Sequence, residues 1–426
     1  MPCYVDGLVY DVRFAASLLS LSEAFLEDNS LPLRRVDADL IRRISAARPG
    51  GELTGYLFLA ESDRHLAVAD LLLRRPELQA RHRAALHLWR ARCLAEKQAE
   101  QALYALEEAA SHLPGDSPSL GEAIGRRFNE LAEKFIWPEG AANSVPSELG
   151  LRAARASVAL LPNDGSAWYK LGVALRDHKT YQEAIEVYQR ALALEQRATR
   201  WNGIGSVYSD LGRQEEALAA YGRAIELDPK YASPHNGVGN VYRALGRQEE
   251  ALAAYGRAIE LDPKLASPHH GVGNVYSDLG RQEEALAAYG RAIELDPKDA
   301  SPHNGVGNVY RALGRQEEAL AAYGRAIALD PKLAAPQMSL AGIYRKLGDE
   351  EAWRRQMGLV QSLVVEESEY NRACFASICG DLDGALTLLE AAIAKSPGDR
   401  ITARRDPDFD FIRDDPRFRA LVGEDE

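Results

Sequence analysis

Polar and apolar positions alternate with a helical period through the middle of the chain. In the stretch Ser233–Arg243, His235, Val238, Gly239 and Tyr242 fall on one face. Ser233, Asn236, Asn240 and Arg243 fall on another, separated by steps of three, four and three. After Gly246, Ala251, Tyr255 and Ala258 mark a second apolar stripe from about Gln248 to Leu261, and Pro263 stops it. Ser233 and Pro234 read as a helix start, with Ser as cap and Pro in the first turn. Gly246 reads as a left-handed terminator. The pattern therefore predicts two short helices joined by a tight turn.

The two-helix pattern recurs every 34 residues. GRQEEALAAYGRAI begins at Gly212, Gly246, Gly280 and Gly314, and VGNVY begins at Val238, Val272 and Val306. The first helix carries Gly237 and Gly239, each costing about 1 kcal/mol relative to Ala in a helix interior. Such a helix does not persist alone, so the pairs must lean on one another. Small residues at Gly239, Ala251 and Ala258 let paired helices approach closely. Beyond the shared Val-Tyr the chain alternates Ser209-Asp210, Arg243-Ala244, Ser277-Asp278 and Arg311-Ala312, so the duplicated unit is two repeats long.

These motifs resemble the tetratricopeptide repeat family. Its small, aromatic and proline positions fall on Gly239, Tyr242, Ala251, Tyr255, Ala258 and Pro263, and on their equivalents from Gly273 to Pro297 and from Gly307 to Pro331. Trp168 and Trp201 open two earlier units, whereas His235, His269 and His303 stand at that position later. The resemblance implies an all-α, right-handed superhelical solenoid of antiparallel helix pairs. The expected organisation is a helical N-terminal region of unknown type over 1–82, degenerate repeats over 83–164 and a regular array of five units over 165–333. Two divergent units over 334–399 and a capping segment over 400–426 follow. In that segment Phe409, Phe411, Ile412, Phe418 and Leu421 are expected to cover the last apolar face.

The same resemblance implies a function. In this family the second face of helix one lines a concave groove that holds extended peptides. The expected ladder is Asn202, Asn236, Asn240, His270, Asn274, Asn304 and Asn308, since an amide offers both a donor and an acceptor to a peptide backbone. Arg243, Asp278 and Arg311 would add charge selectivity. Ordinary solvation or hydrogen bonding within the repeat is the alternative role for these side chains. The lysine clamp by which some members hold a terminal carboxylate is missing.

Charge narrows the partners. The formal net charge is −12, which argues against nucleic acid and anionic membrane and leaves a protein or peptide partner. The segment Phe14–Leu21 is short and preceded by Asp6 and Asp11, unlike a secretory leader, so the cytoplasm is the expected location. The four cysteines, Cys3, Cys93, Cys374 and Cys379, have no zinc-ligand spacing. The repeat histidines are about a helix diameter apart, too far to share an ion. No nucleophile, phosphate-loop or cofactor motif stands in a suitable context, so a non-enzymatic scaffold is expected, with no cofactor. Two alternatives stay open: a regulatory or sensor subunit of a bacterial signalling or defence system, with its specificity in residues 1–82, and a repeat protein that self-assembles end to end.

Overall fold

The computed structural model describes residues 3–5, 8–10, 66, 70, 73, 80–95, 98–115, 117–136 and 148–423. Most of the predicted N-terminal helical region lies outside these. A short antiparallel hairpin, β1 (Cys3–Val5) and β2 (Leu8–Tyr10), pairs Tyr4 with Val9. From Ala80 onward every described element is helical. No helix among the described residues is long and apolar enough to cross a membrane.

The described chain forms two compact units, one ending at Glu195 and the other beginning at Gln196. In the first, α1 (Ala80–Leu94) pairs with α2 (Ala99–Ser111), α3 (Pro118–Ile136) with α4 (Glu148–Leu160), and α5 (Gly165–Asp177) with α6 (Tyr181–Leu194). Leu103, Leu106, Ile124, Phe128 and Leu175 are buried there. Polar ties link alternate helices: Arg152 of α4 grips both oxygens of Glu107 on α2, and Lys170 of α5 donates to the Asn129 carbonyl of α3 at 3.1 Å.

The second unit is a run of helix pairs: α7 (Ala198–Asp210) with α8 (Gln214–Leu227), α9 (Ala232–Ala244) with α10 (Gln248–Leu261), and α11 (Ala266–Asp278) with α12 (Gln282–Leu295). The pairs α13 (Ala300–Ala312) with α14 (Gln316–Leu329), α15 (Ala334–Leu347) with α16 (Glu350–Leu363), and α17 (Glu369–Cys379) with α18 (Leu382–Lys395) complete it. Two short helices, α19 (Asp399–Arg405) and α20 (Pro416–Val422), follow around a 3₁₀ turn at Pro407–Phe409. Each pair also packs on the next, which is the solenoid of antiparallel helix pairs read from the sequence.

The turn chemistry is as the motif implies. Gly246 has φ +75°, in the left-handed region where a side chain is strained. The next residue, Arg247, lies over the Tyr242 ring at 4.5 Å and pairs with Glu250 one turn on, and the arrangement repeats at Arg213, Arg281 and Arg315. The start of helix one differs from expectation. It begins at Ala232, with no side-chain cap, and Ser233 lies inside its first turn. Pro234 follows, where its missing N–H costs nothing because first-turn donors have no helical acceptor.

The two glycines of Gly-Val-Gly have a packing role. A Cβ on Gly239 would lie 2.6 Å from the Tyr255 ring of its own repeat. A Cβ on Gly271, in the following repeat, would lie 2.5 Å from the same ring. Tyr255 is thus wedged between successive helix-one backbones. Tyr221 sits likewise between Gly205 and Gly237, and Tyr289 between Gly273 and Gly305.

Candidate functional site

The helix-one face of the second unit carries the expected ladder, and much of its capacity is used within the chain. The buried Tyr255 hydroxyl donates to Asn240 Oδ1 at 2.7 Å, Tyr289 to Asn274 at 2.7 Å and Tyr323 to Asn308 at 2.7 Å. Burial pushes these three phenols well above the usual tyrosine range, so they remain donors at neutral pH. Each amide therefore spends its oxygen on its own repeat and keeps its Nδ2 donor. In the first repeat of the unit Ser206 takes the amide's place, accepting from Tyr221 at 3.3 Å.

One turn earlier, the Oδ1 atoms of Asn202, Asn236 and Asn304 are buried and accept no hydrogen bond within the chain. His270 occupies the equivalent position and packs on the Tyr289 ring, 5.7 Å between centroids. Burial lowers its pKa to about 4, so the imidazole is neutral at physiological pH. His235, His269 and His303 are partly buried, and burial also lowers their pKa values.

The charged positions are engaged as well. Arg243 Nε donates to Asp278 Oδ2 at 2.8 Å, from one repeat to the next. Arg311 pairs with Asp408 and donates to the Pro407 carbonyl at 2.9 Å. The Arg311 and Asp408 side chains are only 5% and 8% exposed, so both charges are desolvated and depend on each other. The two-repeat alternation of Arg and Asp thus supplies a pairing between neighbouring repeats and one pairing with the C-terminal segment.

That segment runs across the helix-one face. Beginning at the end of α18, Lys395 adjoins the Gly212 turn. The Gly398 amide donates to the Ala244 carbonyl at 2.6 Å. A Cβ on Gly398 would collide with the Arg243 carbonyl oxygen, so only glycine permits this approach. Thr402 donates to Asp278 Oδ1 at 3.0 Å, Arg405 covers the Gly280 turn, and Pro407 and Asp408 meet Arg311. Arg345 then lies over the Phe411 ring at 4.6 Å. The chain thereby passes along successive repeats in their own order.

Phe409, Ile412 and Phe418 are buried against Ala373, Cys374, Leu389 and Ile393 of α17 and α18, with Leu421 partly buried beside them. Phe411 instead packs with Met338 and Val360 of the preceding pair. Beside this core, the ligand atoms of Cys374, Asp406 and Asp408 converge within 4.8 Å. Their capacity is directed elsewhere: the Tyr370 hydroxyl donates to Asp406 at 3.0 Å, the Cys374 thiol donates to it at 3.7 Å, and Asp408 holds Arg311. Burial, reinforced by Asp408, pushes Asp406 up to about 6. Burial, reinforced by Asp278 and opposed by Arg243, pushes Asp399 up to about 7. A second convergence, His87 of α1 with Glu108 of α2 and His112 just after it, was not read from the sequence, which drew attention only to the histidines of the regular repeats.

Known proteins place these observations in a family context. The TPR repeat model matches residues 205–242, 239–280, 273–310 and 307–348, and a second tetratricopeptide repeat model matches 148–199. No curated protein matches the chain. Among solved structures, TTC0263, a thermophilic TPR protein of Thermus thermophilus, is 25% identical over 41% of this chain and 96% of its own, with a TM-score of 0.39. YrrB, described as a TPR protein with an unusual peptide-binding site, is 23% identical over 44% of this chain and 98% of its own, with a TM-score of 0.31. A tetratricopeptide repeat protein from Parabacteroides merdae is 18% identical over 57% of this chain and 94% of its own, with a TM-score of 0.44. In its repeat motifs and in its successive antiparallel helix pairs, this chain resembles the tetratricopeptide repeat proteins.

Proposed function

We propose that the protein is an interaction scaffold that holds an extended segment of a partner protein along the helix-one face, between Asn236 and Arg311. One observation carries the reading: a stretch of the chain itself, residues 398–408 with the short helix α19 inside it, already lies on that face and uses backbone, hydroxyl and carboxylate contacts of the kind a partner would make. The Nδ2 groups of Asn240, Asn274 and Asn308 add donors along the same row, since only their oxygens are spent on tyrosine. Repeats of this type typically serve in protein interaction without catalysing reactions, and no cofactor enters the proposal.

The Tyr–Asn bonds determine which variant tests it. Replacing the three asparagines with alanine would strand buried hydroxyls and confuse binding with folding. Asn240→Asp, Asn274→Asp and Asn308→Asp together keep an acceptor for each tyrosine while removing the amide donors. The expected outcome is unchanged circular dichroism with loss of the proteins that the wild-type chain captures from its native host extract. Undiminished capture by the folded triple variant would refute binding along this row.

A further inference from the structure

We propose that His87, Glu108 and His112 form a divalent transition-metal site, suited to Zn2+, that ties α1 to the end of α2. Zinc takes imidazole nitrogen and carboxylate oxygen, and three protein ligands leave a fourth position for water. The site lies outside the regular repeats. It departs from the expectation of no metal, which weighed the evenly spaced repeat histidines and the cysteines.

The three side chains come from two elements. His87 lies midway along α1, Glu108 lies in the last turn of α2, and His112 directly follows that helix. Glu108 and His112 are four residues apart, so helical spacing puts them on one side. The ligand atoms of all three lie within 4.8 Å of one another. Glu108 Oε2 and His112 Nε2 are 3.9 Å apart. The His87 and His112 rings are nearly parallel, with 5.8 Å between centroids and 20° between planes. Ligands about 2.0–2.1 Å from a tetrahedral zinc stand about 3.3–3.4 Å from one another, so the cluster must close by about 1.5 Å at its widest. Glu108 is exposed and His112 only partly buried, so side-chain rotation supplies that movement.

The surroundings favour a ligand here. His87 Nδ1 is buried and has no hydrogen-bond partner among the described residues, whereas Cys374, Asp406 and Asp408 are already engaged with Tyr370 and Arg311. The last turn of α2 carries no basic residue, so its terminal carbonyls and Glu108 together place negative charge where the cation would sit. Burial lowers the His87 pKa; Glu108 opposes this, while His112, Arg90 and Arg83 act with it. The imidazole is therefore neutral at physiological pH, as a metal ligand must be. The same two arginines repel a cation, but Arg90 Nε donates to Asp70 at 2.7 Å and Arg83 to the Leu73 carbonyl at 3.2 Å.

The test is titration of the full chain with ZnCl2 against a fluorescent zinc chelator. Wild type should withdraw Zn2+ from the chelator, and MgCl2 should not displace it, because magnesium prefers oxygen ligands. His112→Gln and Glu108→Gln alter side chains at an accessible helix end, so both should keep the wild-type circular dichroism. Each should weaken Zn2+ binding by at least about tenfold, the lower bound for losing even a group that merely supports a ligand. His87→Gln should do the same from the other helix. No uptake by wild type would overturn the inference. So would equal affinity in wild type, His112→Gln and Glu108→Gln, which would place the ion at other side chains.

Discussion

The wedged tyrosine makes opposite predictions for one substitution at two glycines. Gly→Ala in a helix interior ordinarily stabilises by about 1 kcal/mol, through backbone entropy. Gly256 lies within α10 and an added Cβ would meet nothing within 4 Å, so Gly256→Ala should show that gain. Gly271 lies within α11, where the added Cβ would sit 2.5 Å from two Tyr255 ring atoms and 2.9 Å from the hydroxyl oxygen. Relief requires a ring shift of about 1 Å to reach ordinary carbon contact. The ring is already confined by the Gly239 backbone, where a Cβ would lie at a similar distance from it. Overpacking of this kind costs about 1–3 kcal/mol, and the strong confinement places it toward the upper end. After the propensity gain, Gly271→Ala should lose roughly 1–2 kcal/mol. Urea unfolding followed by circular dichroism at 222 nm, run side by side, should move the two midpoints in opposite directions from wild type. Repeat arrays need not unfold in one step, so the midpoints of the whole profile are the quantity compared. A Gly271→Ala protein as stable as Gly256→Ala would refute the wedge.

Three other outcomes follow from the same contacts. Asn240→Ala strands the buried Tyr255 hydroxyl and should cost about 1–3 kcal/mol, whereas Tyr255→Phe leaves only an exposed amide and should cost about 1 kcal/mol; equal losses by chemical denaturation would contradict that asymmetry. Arg311→Ala leaves Asp408 buried without its counter-ion and should cost about 3–5 kcal/mol, with Asp408→Ala in the same background recovering part of the loss; no recovery would count against the pair. Asp399 docks with its pKa raised from 3.8 to about 7, so the docked segment binds the proton more tightly than the free one. This contribution is full below the free value and is lost as pH rises through 7. Arg243 from α9 and Asp278 from α11 face this carboxyl. Exchange protection of residues 398–402, corrected for intrinsic rates, should therefore fall between pH 6 and 8 and become flat in Asp399→Asn; a rise in wild type would contradict the assignment.

Local rules carried the helix pairs. The stripe Ala251, Tyr255, Ala258 and the stop at Pro263 define a second helix at Gln248–Leu261, as observed, and the glycine after Leu245 is left-handed as its position demands. The start of helix one was less legible because Ser233 satisfies a capping pattern that the backbone does not use. Gly237 and Gly239 were legible as small residues, but that each meets a different tyrosine depends on the stacking of neighbouring repeats. The face bearing Asn240, Asn274 and Asn308 was legible from helical spacing. Periodicity left open whether those amides served the repeat or a ligand, and their oxygens are bonded to tyrosines fifteen residues away. Least legible was the return of the C-terminal segment. Thr402 meets Asp278 across 124 residues and Asp408 meets Arg311 across 97, and no local pattern marks a contact at such separation. The pairing of Arg243 with Asp278 was closer to reach, since the two-repeat alternation places opposite charges on adjacent units.

Docking of the C-terminal segment on the helix-one face is best tested by placing a cysteine at each side of one contact. Thr402→Cys with Asp278→Cys replaces two side chains whose oxygens stand 3.0 Å apart. Treatment of the dilute protein with a short bis-maleimide, followed by peptide mass spectrometry, should give an intramolecular link joining positions 278 and 402 in high yield. Absence of that link while both thiols remain reactive, or a link found only between two chains, would contradict it.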